Sequence, residues 1–343
     1  MLVKHLTFFL RLTHMIIRFS VENWRSFKEP ATLDMVAGSE KQHADRLPRV
    51  KKFCLKILPV AAIYGANASG KTKFVEALAF LQNLIVLGNN KNVRFGLQRF
   101  KLDKDCLQRP VNFSLTALID EVIYRYELSL LPEKVVHEKL TLENSSSIYE
   151  LFTRKDDGTV IFDKDYFEED RLAFLNFVAS ATRENQLLLS NAIDLNVNEF
   201  NLFYDWIKDN LVILNTESVF TAIHRFADPS DKISEQLLEF LQRFGTGIDR
   251  FETQKTTFQN SSLVNIPAPL ISEIKSKLQE TEGKLRIGDS VLSLDGDELV
   301  IERLVAVHKS KNGDPLIFSL QDESDGTVRL LDLIPAVVKP GNN

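Results

Sequence analysis

The run Gly65-Ala66-Asn67-Ala68-Ser69-Gly70-Lys71-Thr72 carries the clearest chemistry in the chain. Its fixed positions have the spacing G-x-x-x-x-G-K-[ST] of a loop that binds polyphosphate. Gly65 and Gly70 let the backbone turn tightly, so that the N–H groups of Asn67, Ala68, Ser69 and their neighbours aim inward. Lys71 is placed to meet the outer phosphates and the Thr72 hydroxyl to hold Mg²⁺. A second run, Ser324-Asp325-Gly326-Thr327, puts a hydroxyl and a glycine N–H at the start of an apolar-periodic helix. That makes either a second anion site or a plain helix cap.

These residues need elements to position them. Ile57 to Tyr64 is a short apolar run of the kind a buried parallel strand uses, and it leads straight into Gly65. Phe74, Ala77, Leu78, Leu81, Leu84 and Ile85 recur at helical spacing, with Gly88 as a stop. Strand, glycine loop and helix together predict binding of a nucleoside triphosphate.

Composition narrows the rest. The chain has 343 residues, 44% hydrophobic and 26% charged, enough for more than one lobe with a sizeable core. A net charge of −5 argues against a surface given over to nucleic acid and leaves room only for a local basic groove. Cys54 and Cys106 are not in metal-ligand spacing and make no disulfide framework, which points to a reducing cytoplasm. No apolar run reaches the ~20 residues that span a bilayer.

In chain order, residues 1–14 read as a leader, disordered or non-native, with Met15 as the native start. Residues 15–94 form the N-terminal core around the phosphate loop. In 95–165 the pattern changes to period two, with Val111, Phe113, Leu115 and Ala117 and then Tyr124, Tyr126, Leu128 and Leu130, and Asp156-Asp157-Gly158 supplies a hairpin turn. This predicts an antiparallel β-lobe. Residues 166–283 read as a helical lobe, and 284–343 as strands followed by the helix that Ser324 opens.

The order of these features resembles the ABC-type ATPase heads of the SMC, RecF and OLD group. It is most similar to bacterial AAA-family ATPases of that group, several of them associated with phage defence. Val21-Glu22-Asn23-Trp24-Arg25-Ser26-Phe27 resembles their N-terminal segment, Gly65–Thr72 their Walker A loop and Glu323-Ser324-Asp325-Gly326-Thr327 their signature motif. The likeness runs from Met15 through most of the chain. It implies an α/β P-loop NTPase of ABC/SMC-head type that takes ATP and Mg²⁺. Two heads would close as a homodimer on two ATP molecules, with Ser324 and Gly326 of one head meeting the γ-phosphate held by Lys71 of the other. Arg25 would lie near the nucleotide, and Gln186 would be a magnesium- and water-sensing residue. Asp325 stands where many such signatures have glycine.

The resemblance also implies a strand ending in Asp-Glu, Walker B, after the signature helix. The sequence runs instead to Pro340-Gly341-Asn342-Asn343, which predicts a core without its C-terminal strands and an apolar strand 57–64 lacking a ladder partner on one side. Leu118-Ile119-Asp120-Glu121 has the Walker B pattern but lies between two alternating runs, and reads as a hairpin turn. Two functions follow: an ATP hydrolase that gates a DNA-linked or defence effector, or a nucleotide-binding module that does not hydrolyse and is completed by a partner fragment. Nucleic acid remains a further partner class, with Lys51-Lys52 and Lys309–Lys311 as short basic runs. Trp24 and Trp206 read as packing residues, and His308 as a strand-end residue.

Overall fold

The computed structural model describes residues 14–39, 47–91, 93–215, 218–220, 222–257, 268–280, 284–287, 290–295 and 298–337. Most of the leader 1–14, part of the loop after Gly38 and the final residues from 338 lie outside the described residues. The chain divides into two units, residues 1–213 and 214–343. The division falls inside the segment 166–283 that the sequence reads as one helical lobe.

The first unit is a seven-stranded antiparallel sheet with helices on one face. Its strands are β1 (His14–Glu22), β2 (Ala31–Asp34), β5 (Val111–Ile119), β6 (Val122–Leu130), β7 (Val135–Glu143), β8 (Ile148–Arg154) and β9 (Val160–Phe162), in the order β2-β1-β5-β6-β7-β8-β9. A small hairpin, β3 (Arg49–Val50) and β4 (Leu55–Lys56), is not hydrogen-bonded into this sheet but packs Val50 and Leu55 against Ile17, Leu118 and Ile123 on the sheet's other face. The strands of 95–165 continue the sheet begun by β1, since Phe19 pairs with Leu115 and Val21 with Phe113. The period-two pattern explains this: Phe113, Leu115, Tyr124, Tyr126 and Leu128 are buried and share one core with Phe19 and Val21, so the strands present one continuous apolar face to the helices. The β5–β6 turn is Asp120 (φ 46°) and Glu121 (φ 64°), the left-handed pair of a two-residue hairpin. Asp120 meets His14 at 3.2 Å.

Helix α1 (Lys71–Leu87) buries Phe74, Ala77, Leu81, Leu84 and Ile85 against that face. Helices α2 (Glu169–Ala181), α3 (Leu188–Asp194) and α4 (Asn201–Asp205) complete the layer, and α4 runs into a π turn at Trp206–Asn210. Gln82 of α1 donates to the carbonyls of Ile207 (2.7 Å) and Leu211 (2.6 Å), taking up acceptors at that irregular end.

The expected buried parallel strand over Ile57–Tyr64 is not formed. Ile57 is buried and bridges to Val36, and the Leu58 N–H donates to the Met35 carbonyl at 2.7 Å. From Pro59 to Tyr64 there is no strand, and Val60 and Tyr64 are 77% and 90% exposed. The reason is the absence of a ladder: among the described residues no strand pairs with this run, and an apolar sequence without a paired neighbour has no strand stability of its own.

The second unit holds α5 (Lys232–Arg243), β10 (Ile248–Thr257), α6 (Ala268–Glu280), β11 (Lys284–Ile287), β12 (Ser290–Asp295), β13 (Glu298–Lys309), β14 (Pro315–Ser319) and α7 (Asp325–Val337). Its five-stranded sheet runs β10-β13-β12-β11, with β14 also on β13. Ile233, Leu237 and Leu241 of α5 and Leu331 and Ile334 of α7 close a separate core with Phe226 and Phe251. Among the described residues no helix is long and apolar enough to cross a membrane, and no cluster of His, Cys, Asp and Glu could hold a metal ion by itself.

Candidate nucleotide site

The phosphate loop is built by backbone geometry. Gly70 is the residue before α1, at φ 98°, and it offers no side-chain cap to the helix. Ala68 is also left-handed at φ 64°. A Cβ on Gly65 would stand 2.6 Å from Ser69 Oγ, and one on Gly70 would stand 2.9 Å from Phe27 Cζ. Gly70 is therefore required by conformation and crowded by the Phe27 ring, whereas a side chain on Gly65 would need the Ser69 hydroxyl to swing aside. The first-turn N–H groups of α1 are left to a ligand, where the helix dipole is positive.

Lys71 folds back over the loop, and its Nζ donates to the carbonyls of Gly65 (2.7 Å) and Ala66 (2.8 Å). Thr72 follows, exposed on the first turn. An ammonium held by carbonyls, a helix start without a side-chain cap, a free hydroxyl and a cradle that a Cβ would fill suit a nucleoside triphosphate with its Mg²⁺. The site residues Gly65, Asn67, Ala68, Ser69, Gly70, Lys71 and Thr72 all lie on this one turn.

The segment Asn23–Phe27 packs against the loop. Asn23 (φ 55°) and Arg25 (φ 47°) are left-handed, and Trp24 and Phe27 exchange backbone hydrogen bonds of 2.9 and 2.8 Å. Trp24 is buried, stacks near Phe80 and Phe113, and donates its indole N–H to the Lys73 carbonyl at 3.2 Å. Arg25 Nε lies 3.2 Å from Glu76 Oε2, and Lys73 Nζ lies 2.6 Å from Glu76 Oε1. Arg25 and Ala68 line one cavity, so Arg25 borders the loop. Lys73, Glu76 and the stretch Gln98–Lys101 were not legible as site residues. Lys73 and Glu76 read as ordinary helix surface, and nothing in the sequence ties residues 98–101 to a loop about thirty positions away.

Gln186 is not brought to this end of α1. Its side chain donates to Asn191 Oδ1 at 3.1 Å, and its carbonyl accepts from Arg154. Its neighbour Asn185 donates to the carbonyls of Asn90 and Lys91, just past the C-terminal end of α1. Thr72 is at the other end, and a helix of 17 residues is about 25 Å long. Gln186 orders a local turn there and is too far from Thr72 to share a magnesium ion with it within this chain.

In the second unit Ser324 caps α7. Its Oγ accepts from the Thr327 N–H at 3.1 Å and lies 2.9 Å from Thr327 Oγ1. Asp325 occupies the first helical position, where a negative charge suits the dipole, and Gly326 follows. Glu323, with its side chain largely buried, lies 2.6 Å from His308 Nε2. His308, near the end of β13, stacks edge-on with Phe318. Arg329 donates to the carbonyls of Ser218 (2.6 Å) and Asn215 (2.8 Å), fixing the chain before α5 to α7.

Residues 60–341 match the family described as "AAA domain, putative AbiEii toxin, Type IV TA system". No curated protein matches the chain. The match covers most of the chain and takes in both the loop at Gly65–Thr72 and the motif at Ser324–Thr327. Members of such families have the α/β P-loop fold and bind ATP with Mg²⁺. The chain thus belongs to this AAA-domain family of nucleotide-binding P-loop ATPases.

Proposed function

We propose that the chain is the ATP-binding head of an ABC/SMC-like ATPase whose nucleotide-driven self-association controls an effector in a toxin–antitoxin or phage-defence setting. The observation that carries the reading is the start of α1: a helix N-terminus capped by a left-handed glycine, with Lys71 resting on two loop carbonyls. Those two hydrogen bonds are exchangeable, so Lys71 can give them up for phosphate oxygens at little cost. The loop amides bind and orient the phosphates. The Thr72 hydroxyl would hold Mg²⁺, which would supply neutralisation of the phosphate charge. Ser324 and Gly326 of a second copy are the groups we assign to the outer phosphate across a homodimer. The toxin–antitoxin setting comes from the family's description alone.

A second reading, binding without efficient turnover, is favoured by two observations. Asp120 and Glu121 are the left-handed turn between the antiparallel strands β5 and β6, as the alternation around them predicts, and Asp120 pairs with His14 rather than standing at the phosphate loop. The run Pro59–Tyr64 has no ladder partner among the described residues. We propose that a strand from another polypeptide pairs with it and brings the carboxylate that positions water.

One preparation tests both readings: ATP binding by calorimetry and ATP turnover, with Lys71→Ala as the control. Turnover abolished in the variant supports the hydrolase. Binding without turnover, lost in the variant, supports the module completed by a partner. Absence of ATP binding by the native protein would sink both.

A further inference from the structure

A cavity of about 450 Å³ opens beside the phosphate loop, and Ala68 of the loop is part of its wall. The rest of the wall comes from Arg25 and Ser26, from Lys73 on α1, and from the segment Gln98 to Leu102. The volume lies within the range of small-molecule sites, about 300–1,000 Å³. We propose that this cavity receives the nucleoside part of the nucleotide, and that Phe100, Lys101 and Leu102 decide how tightly a nucleotide is held relative to bare polyphosphate. The proposal rests on the reading of Gly65–Thr72 as a phosphate site.

Four features carry it. The first is continuity: a ligand anchored by its phosphates on a loop that contains Ala68 extends next into the concavity Ala68 borders. The second is composition. Phe100 and Leu102 give apolar surface, while Arg25, Arg99 and Lys101 bring cations, a mixture that suits a flat heteroaromatic base beside an anionic tail.

The third is preorganisation. The Arg25 guanidinium is held between Glu76 and the Trp24 ring, 5.9 Å from the ring centre, and Arg99 donates to the Leu107 carbonyl. These cations are fixed before any ligand arrives, which lowers the entropic cost of binding. The fourth is the anchoring of the wall. The Asn23 side chain is fully buried, donating to the carbonyls of Cys106 (2.8 Å), Arg109 (3.0 Å) and Pro110 (3.2 Å) and accepting from the Phe100 N–H (3.3 Å). The Arg25 N–H donates to the Gln98 carbonyl. The left-handed backbone at Asn23 and Arg25 thus serves to clamp residues 98–110 next to the loop.

The test uses the double variant Lys101→Gln, Leu102→Ser. Leu102 is 91% exposed and Lys101 is exposed, so the fold is unaffected and the melting temperature stays that of the native protein. Calorimetric titrations with Mg²⁺-ATP and with inorganic tripolyphosphate give two affinities for each protein. The expected result is a roughly tenfold weaker ATP affinity against a clearly smaller loss for tripolyphosphate, because Leu102 meets only the nucleoside while the Lys101 charge also attracts the phosphate tail. Lys71→Ala weakens both ligands. Unchanged ATP affinity in the double variant, with Lys71→Ala still weakening both, overturns the cavity assignment and leaves the phosphate site standing. A parallel loss of both ligands also overturns it, because the segment would then act only through its charge. If neither ligand binds the native protein, the phosphate site itself falls and the proposal with it.

Discussion

Helices α1 and α7 begin with similar-looking sequences, small residues around a glycine, yet their first turns are finished in opposite ways. At α1 the residue before the helix is Gly70, with no side chain to offer, and the nearest polar group, Lys71, turns away to loop carbonyls. At α7 the residue before the helix is Ser324, whose Oγ already accepts the Thr327 N–H. The first start is left for an anion, and the second is closed by its own serine. A helix N-terminus becomes a binding site only when the chain declines to cap it, and that depends on the one residue at the cap position. A third start, that of α3, marks the closed extreme. There Glu138 reaches in from β7 and accepts from the N–H groups of Leu188 (2.7 Å) and Leu189 (3.0 Å), and from the Tyr126 hydroxyl at 2.9 Å.

The largest effect in this comparison is expected at that closed extreme. Glu138 is fully buried, so Glu138→Ala strands three donors in the core. The expected loss is about 4 kcal/mol of stability, read from denaturant unfolding. Burial is the first cause of a Glu138 pKa raised above its ordinary 4.5, with the Leu189 and Leu188 N–H groups pulling the other way. A carboxyl whose folded pKa lies above its unfolded value contributes stability that is full below the unfolded value and is lost as pH rises through the folded one. The native protein should therefore lose stability upward from about pH 4.5. Glu138→Gln, which cannot ionise, should lack that slope even if it is weaker throughout. Parallel pH profiles for the two proteins would remove Glu138 as the cause.

Next in size is the open start. Lys71→Ala should lower ATP affinity about 100-fold, the loss of a charged partner for the outer phosphates, with little change in melting temperature. Gly70→Ala acts on both quantities. A side chain at φ 98°, with its Cβ 2.9 Å from Phe27, should cost about 2 kcal/mol of stability and displace the loop it anchors. A Gly70→Ala protein of native stability and native ATP affinity would mean that the cap position does not control the site.

The loop itself was legible because its demands are local: two glycines, a lysine and a threonine at fixed spacing, followed by a helix with one apolar stripe. The antiparallel strands were legible for the same reason, since alternation at Val111–Ala117 and Tyr124–Leu130 is a property of each strand alone. What failed was the reading of Ile57–Tyr64. An apolar run states that burial is wanted, but a strand also needs a neighbour, and pairing is not written in the run. The joining of β5 to β1 was hidden in the same way, because register between strands nearly a hundred residues apart leaves no local trace. Arg25 was singled out only through the likeness of its segment to a known one. The groups that pin it, Glu76 and the Gln98 carbonyl, were not, since each is an ordinary residue until the fold brings it there.

A smaller stability effect than that of Gly70→Ala is expected at Ser324, and it separates the two roles that a serine in this position can have. Ser324→Ala removes the acceptor of the Thr327 N–H and should cost about 1 kcal/mol. Nucleotide affinity at the Lys71 loop should not change. If Ser324 also meets the phosphate held by a second copy, ATP-dependent self-association measured by sedimentation should weaken well beyond what that loss of stability explains. Ser324→Asp makes the distinction sharp. Aspartate is as good a cap as serine and favours the helix dipole, so the fold should hold or gain slightly. Its charge, however, would oppose a phosphate. Stability kept and association lost would assign Ser324 a role beyond the cap. Stability and association both kept would make this helix start a closed cap only, and the contrast with Gly70 would then be the whole functional difference between the two motifs.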